Sequence, residues 1–221
     1  MKLKFVFFLF LIFSFTSCTR TDVKKWANGK KKQELNYKGN QLNGVSIFWY
    51  EDGKKQQECN YVDNKLNGPS TRWYFNGNKE REDNYINDLL EGKSLVWDIN
   101  GKLNREENYS KGILNGIYKE YFPNKNIMIS GNYKNGKFDG VWNYYDEFGL
   151  NVGEGKYTEG NGIQKGFFLN GKVKREIQYK NNLKDGEETW FDESGKKIKT
   201  IQYKAGKMQS QTADIISSNK K

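Results

Sequence analysis

Tyrosine returns along this chain every 24 residues, at Tyr37, Tyr61, Tyr85, Tyr109, Tyr133 and Tyr157, then at Tyr179 after 22 residues and Tyr203 after another 24. A fixed period of this length marks stacked supersecondary units, each too small to bury its own apolar face. Other positions keep the same phase. Eight residues before each tyrosine stand Gly29, Gly53, Gly77, Gly101, Lys125, Gly149, Gly171 and Gly195. Seven residues after it stand Gly44, Gly68, Gly92, Gly116, Gly140 and Gly186, whereas the unit begun by Tyr157 is two residues short and has Gln164 there. A large apolar residue falls five after the tyrosine (Leu42, Leu66, Leu90, Leu114, Phe138), and an aromatic one twelve after it (Trp49, Trp73, Trp97, Tyr121, Tyr145, Phe191).

Each unit is thus two strand-like runs split by Asp-Gly or Asn-Gly, the dipeptide favoured where a type I′ hairpin turn needs positive φ at both central residues. Centring the turn on Asp52-Gly53 sets Trp49 opposite Gln56 and Tyr61 opposite Gly44, and by repetition Tyr85 opposite Gly68 and Tyr109 opposite Gly92. On this register the glycines leave room for the cross-strand tyrosine ring. The residue before each tyrosine is polar, and Glu34, Glu58, Glu82, Glu106, Glu154 and Glu176 stand three before it. Alternation puts both sets on the face away from the tyrosines, so one face reads as aromatic and the other as polar. The expectation is an all-β fold, an elongated antiparallel sheet of stacked hairpins adding roughly 10 Å per unit, about 70 Å in all.

Composition sharpens what such a sheet can do. Only 35% of residues are hydrophobic while 15% are aromatic, so rings rather than aliphatic chains supply the apolar material. The chain has no histidine and two cysteines. It lacks the commonest general base and metal ligand, which argues against an enzyme and against a metal or other cofactor. The repeated glutamates sit in equivalent surroundings, unlike the paired acids of a glycosidase, whose environments differ.

The N-terminus reads as an export signal. Lys2 and Lys4 precede an apolar run from Phe5 to Phe15, too short for a comfortable membrane span. Phe15-Thr16-Ser17-Cys18 resembles a bacterial lipobox, whose cysteine takes a diacylglycerol and becomes the new N-terminus; Phe15 replaces the usual leucine. The expected organisation is a signal peptide at 1–17, a tether at 18–25, the repeat array at 26–208 and a polar tail at 209–221, with the mature chain anchored to a membrane of the cell envelope. Removal of 1–17 leaves 35 basic residues against 27 acidic ones. That excess suits anionic lipid or glycan, whereas nucleic acid is a poor partner for an exported chain. With Cys18 lipidated, Cys59 has no disulfide partner, and its counterparts Leu35, Asp83 and Glu107 mark a strand position rather than a redox site.

The pattern Tyr-x4-Leu-x-Gly-x4-Trp-Tyr-x2-Gly-x-Lys resembles the MORN repeat in its bacterial variant form, over about residues 26–208. The resemblance implies stacked hairpins serving as a scaffold or a protein- or membrane-binding surface, and some bacterial members are described as antitoxins or immunity proteins. Two sets of residues are candidates for such binding. Trp49, Tyr50, Trp73, Tyr74, Trp97, Tyr121 and Tyr145 form an aromatic ladder that either packs hairpin on hairpin or grips a partner. Lys30, Lys54, Lys102, Lys172 and Lys196 follow the turn glycines and form a candidate basic rim along one edge. The function expected is that of an envelope-anchored binding or scaffold lipoprotein. Toxin neutralisation is the alternative, and an envelope glycan-processing enzyme the least favoured.

Overall fold

A computed structural model describes residues 18–213; the expected signal peptide and most of the polar tail lie outside them. The described residues form one sheet of twenty antiparallel strands. Long strands pair in chain order, so the sheet is a continuous meander. Three of them are split at a bulge into a two-residue and a six-residue piece (Gln41–Leu42 and Gly44–Trp49, Leu89–Leu90 and Gly92–Trp97, Ile113–Leu114 and Gly116–Tyr121), both pieces pairing with the same preceding strand. It reaches beyond the expected array at both ends. Thr19–Lys25, within the segment read as a tether, pairs with Lys31–Lys38, and Lys207–Ala213 pairs with Lys197–Lys204.

Tyrosine and glycine meet across strands as the spacing predicts: Gly44 faces Tyr61, Gly68 faces Tyr85 and Gly92 faces Tyr109. The turn chemistry differs from the expectation. At Asp52-Gly53 only the glycine has positive φ (+91°), Gly53 N–H donates to Tyr50 O, and Tyr50 N–H donates to Lys54 O. This is a three-residue loop closed by a glycine bulge. Asp52 accepts from Lys54 N–H at 2.9 Å, which is why Asn or Asp precedes the glycine. The bulge shifts the register by one, so Trp49 faces Lys55 and not Gln56. True type I′ geometry occurs at the opposite ends of the strands, with positive φ at both Asp63 and Asn64, at Asn87 and Asp88, and at Asn181 and Asn182.

The second glycine of each unit also has another cause than the one expected. Gly44, Gly68, Gly116 and Gly186 have φ between +102° and +114°, and a Cβ at any of them would meet the Asn or Gln eight residues earlier on the neighbouring strand, not a tyrosine ring. They sit in a second bulge. Tyr61 pairs with Leu66 and Cys59 with Ser70, so three residues on one strand oppose one on its partner. Glycine supplies the left-handed backbone that this bulge needs. The 22-residue unit omits it: Tyr157 pairs with Gly162 and Gly155 with Gln164 without interruption. The two missing residues are the bulge itself, and Gly162, not Gln164, stands opposite Tyr179.

The core is a single row down the middle of the tyrosine face. Register carries it through Ser46, Cys59, Ser70, Ser94, Glu107, Trp142, Ile177, Glu188 and Ile201, all buried. Small side chains fill the first third. Rings fill the middle, where Trp142 packs against Tyr118, Tyr133 and Phe138 with centroids 4.7–5.5 Å apart. An aromatic ring does cover a glycine here, because Trp142 lies over Gly131. Cys59 is 1% exposed, and burial pushes its thiol pKa up, which leaves it inert.

Burial also pushes the hydroxyls of Tyr61 and Tyr133 up to about 12, from an ordinary value of 10.0. A raised folded-state value means the neutral form is favoured by folding. The associated stability is complete below pH 10 and is lost as pH rises through 12. In an alkaline titration, tyrosinate absorbance should rise in two phases, the later one coinciding with loss of the sheet's circular dichroism. A single phase near pH 10 with the sheet intact would contradict this account of the core.

Candidate binding surfaces

Three surfaces follow from this framework. The first is the face opposite the core row. Trp49, Trp73 and Trp97 share it with the glutamates, because each stands five residues, an odd number, after the glycine that faces a tyrosine, and successive side chains of a strand alternate between faces. The expected division into an aromatic and a polar face is therefore corrected: both faces carry rings. Lys31, Lys55 and Lys79 place their ammonium groups 5.4–5.7 Å from the Trp49, Trp73 and Trp97 ring centres, and the same lysines pair with Glu34, Glu58 and Glu82. Tyr121 donates to Glu106 at 3.0 Å. The result is a half-buried stripe of ring, ammonium and carboxylate, ready to stack on a partner's apolar groups. Tyr50 and Tyr74 belong to the turn edge, where their hydroxyls donate to Trp73 O and Trp97 O of the next unit. Tyr145 is also half-buried.

The second surface is the edge of glycine-bulge turns, where the candidate basic rim falls. Lys30 donates to Asp52 O, Lys54 to Phe75 O and Lys172 to Glu193 O. Asn78 and Asn126 do the same work in neighbouring turns. These side chains tie each turn to the next, which spends part of their hydrogen-bonding capacity within the array. Acids dilute them further. Across the eight five-residue turns from 26–30 to 192–196, six lysines stand against seven acids.

The third surface is the opposite edge, made by the type I′ turns. Its eight four-residue turns, from 38–41 to 204–207, carry eight lysines against three acids. Here lies the basic excess, at Lys65, Lys111, Lys134, Lys137, Lys180 and Lys207 among others. Sequence reasoning passed over these because it followed the turn glycines eight residues before each tyrosine; their shared edge emerges only once the turn types are known. Cys18 belongs to this edge too, since its carbonyl accepts from Gly39 N–H at 2.9 Å and the first strand starts at the next residue.

Comparison with known families is consistent with the geometry. Residues 42–63, 66–87, 114–135, 160–181 and 184–205 match the MORN repeat variant. A search of curated proteins finds no match. Each matched stretch runs from one type I′ turn to the next, so the family's unit is a hairpin closed by the glycine-bulge turn. Residues 90–111 and 138–159 continue the same register without matching. Five of the hairpin units thus match the MORN repeat variant, within an array that keeps one repeating register.

Proposed function

We propose that this chain is an exported bacterial lipoprotein, tethered to an envelope membrane through Cys18, that presents its hairpin array to a protein partner. The charge difference between the two edges carries this reading. The edge that begins at Cys18 holds the basic excess, so an acyl chain on Cys18 and the type I′ turn lysines would meet the same anionic headgroups. Each lysine near such a surface contributes about 1 kcal/mol, in addition to the hold of the diacylglycerol on Cys18. The far edge and the tryptophan stripe then face away from the bilayer. Phe75 and Ile99, exposed at turn tips on that far edge, supply apolar contact for a partner. The role is display and binding, as is usual for repeat arrays, with no chemistry assigned to any residue.

Vesicle flotation tests the orientation. The chain from residue 18 onward, carrying Cys18→Ser, should float with vesicles containing phosphatidylglycerol and not with pure phosphatidylcholine. The triple variant Lys134→Glu, Lys137→Glu, Lys180→Glu should lose this binding, whereas Lys102→Glu with Lys196→Glu on the other edge should keep most of it. Equal loss from both variants would remove the edge assignment. In cells, the parent should stay in the membrane fraction through a high-salt wash while the mature chain carrying Cys18→Ser is released by it; equal resistance to salt would count against the anchor.

A further inference from the structure

The unit that lacks its bulge borders an apolar cleft. Val152, Phe168, Leu169 and Trp190 line it, with Lys174 and Arg175 on its wall, and its volume is about 660 Å³. That is the size of a small-ligand site, ample for an aromatic side chain. In the first three units the aromatic residue opening the turn links to the next unit, through Trp26 Nε1 and the Tyr50 and Tyr74 hydroxyls. Phe168 has no hydroxyl to make that link. Lys174 stands over the Phe168 ring at 5.7 Å and Arg175 over Trp190 at 5.0 Å, so the apolar walls are rimmed by cations. One acid, Glu193, touches the cleft.

The neighbouring turn carries the complementary group. Phe148 is 84% exposed, at the tip of the turn 146–150, between Glu147 and Gly149. Asp146 holds that turn rigid by accepting from Phe148 N–H and Leu150 N–H at 3.0 and 2.9 Å. Glu147 uses its backbone carbonyl for Asn124 and Asn126, and its side chain, next to Phe148 in the chain, is exposed. An acid-flanked phenylalanine is thus held out into solvent, one turn away from a cation-rimmed apolar cleft.

We propose that a second copy of this chain occupies the cleft, the Phe148 of each copy entering the cleft of the other. Both halves of the contact lie on adjacent turns of one edge, so a twofold axis satisfies them together and the interface closes on itself. Charge complementarity supports this occupant, with Glu147 approaching Lys174 on each side of the axis. The contact is small, in the range of weak, transient interfaces, so dimerisation should be concentration-dependent in solution and favoured where copies share a membrane. The proposal requires neither lipidation nor the partner-binding role.

Sedimentation velocity on the chain from residue 18 onward, which holds every strand of the described sheet, tests it; Cys18→Ser prevents intermolecular disulfides. A monomer–dimer equilibrium is expected. Phe148→Ser and Leu169→Ser should each weaken it by roughly tenfold or more, as for a central interface residue. Glu147→Lys and Lys174→Glu should each weaken it, and the double variant should recover much of the loss. Asn100→Ser, exposed on the same edge but outside the cleft, should leave the monomer–dimer equilibrium unchanged. All of these residues are exposed, so each variant should keep the circular dichroism spectrum and melting temperature of the parent. A monomer at every concentration up to millimolar, or a dimer indifferent to Phe148→Ser, would overturn the proposal. Neither outcome bears on the vesicle experiment.

Discussion

Trp142→Ala should unfold the array in two steps where the parent unfolds in one. Trp142 is 3% exposed, sits at the centre of the ring cluster, and donates through Nε1 to Asn132 O at 3.1 Å. Truncating such a ring costs about 3–5 kcal/mol. In a meander each hairpin touches only its neighbours, so a loss this large weakens one interface and leaves the flanks intact. The first third rests on small buried residues and the last on Ile177 and Ile201, and the ring cluster joins them. Gly131→Ala should act from the other side of the same contact. A Cβ there would lie 2.1 Å from Trp142 Cδ2, and Tyr118 and Phe138 leave the indole no room to retreat. Overpacking of this kind costs about 1–3 kcal/mol. Trp97→Ala, on the half-buried stripe, should cost less than either. Urea unfolding followed by circular dichroism separates these cases. A single transition for Trp142→Ala, with a midpoint close to the parent's, would remove the ring cluster from its role as the joint.

Much of this fold was legible in one period. Strand pairing follows from tyrosine and glycine positions because the side-chain repeat of a strand is two, and a buried row tolerates no slip. The turns were less legible. Asp-Gly serves both a type I′ turn and an Asx turn closed by a glycine bulge, and only the surrounding register separates them. That ambiguity displaced one reading, Trp49 opposite Gln56, and glycine as a seat for a ring failed separately, at a second bulge whose left-handed backbone favours glycine. Each depends on a one-residue bulge or on a φ value, neither of which has a side-chain signature. The basic edge was hidden for the same reason. Lys65, Lys111, Lys134 and Lys180 stand at different offsets from the tyrosine, and they converge only when the type I′ turns are placed at 63–64, 111–112, 135–136 and 181–182. The cleft had one sequence signal, the two-residue shortening before Tyr179, whose meaning needed the missing bulge.

Glu107→Ala should destabilise the chain by about 2–4 kcal/mol, while Glu107→Leu combined with Arg105→Met should recover most of that loss. Glu107 is 5% exposed in the core row, between Ser94 on one strand and Tyr118 on the next. Its carboxylate accepts from the Tyr109 hydroxyl at 3.0 Å and lies 3.7 Å from the Arg81 guanidinium. Arg105 Nε stands 3.0 Å away but is poorly aligned for a hydrogen bond, so that pair is mainly Coulombic. Arg81 also donates to both oxygens of Asp83 at 2.8 Å, and Ser94 donates to Asp83 at 2.7 Å. Removing Glu107 alone leaves Arg105 and the Tyr109 hydroxyl without their shared acceptor, and an orphaned member of a buried pair is what costs most. Replacing Glu107 and Arg105 together removes both charges and adds apolar volume to a row that elsewhere holds Ile177 and Ile201. Buried ion pairs often give way to apolar side chains at little net cost. Arg81 keeps Asp83 in the double variant, so its own charge stays paired. Urea midpoints for Glu107→Leu, Arg105→Met and the double variant close the cycle. A double variant as unstable as the sum of the singles would show that the network, and not the uncompensated charge, holds this part of the sheet.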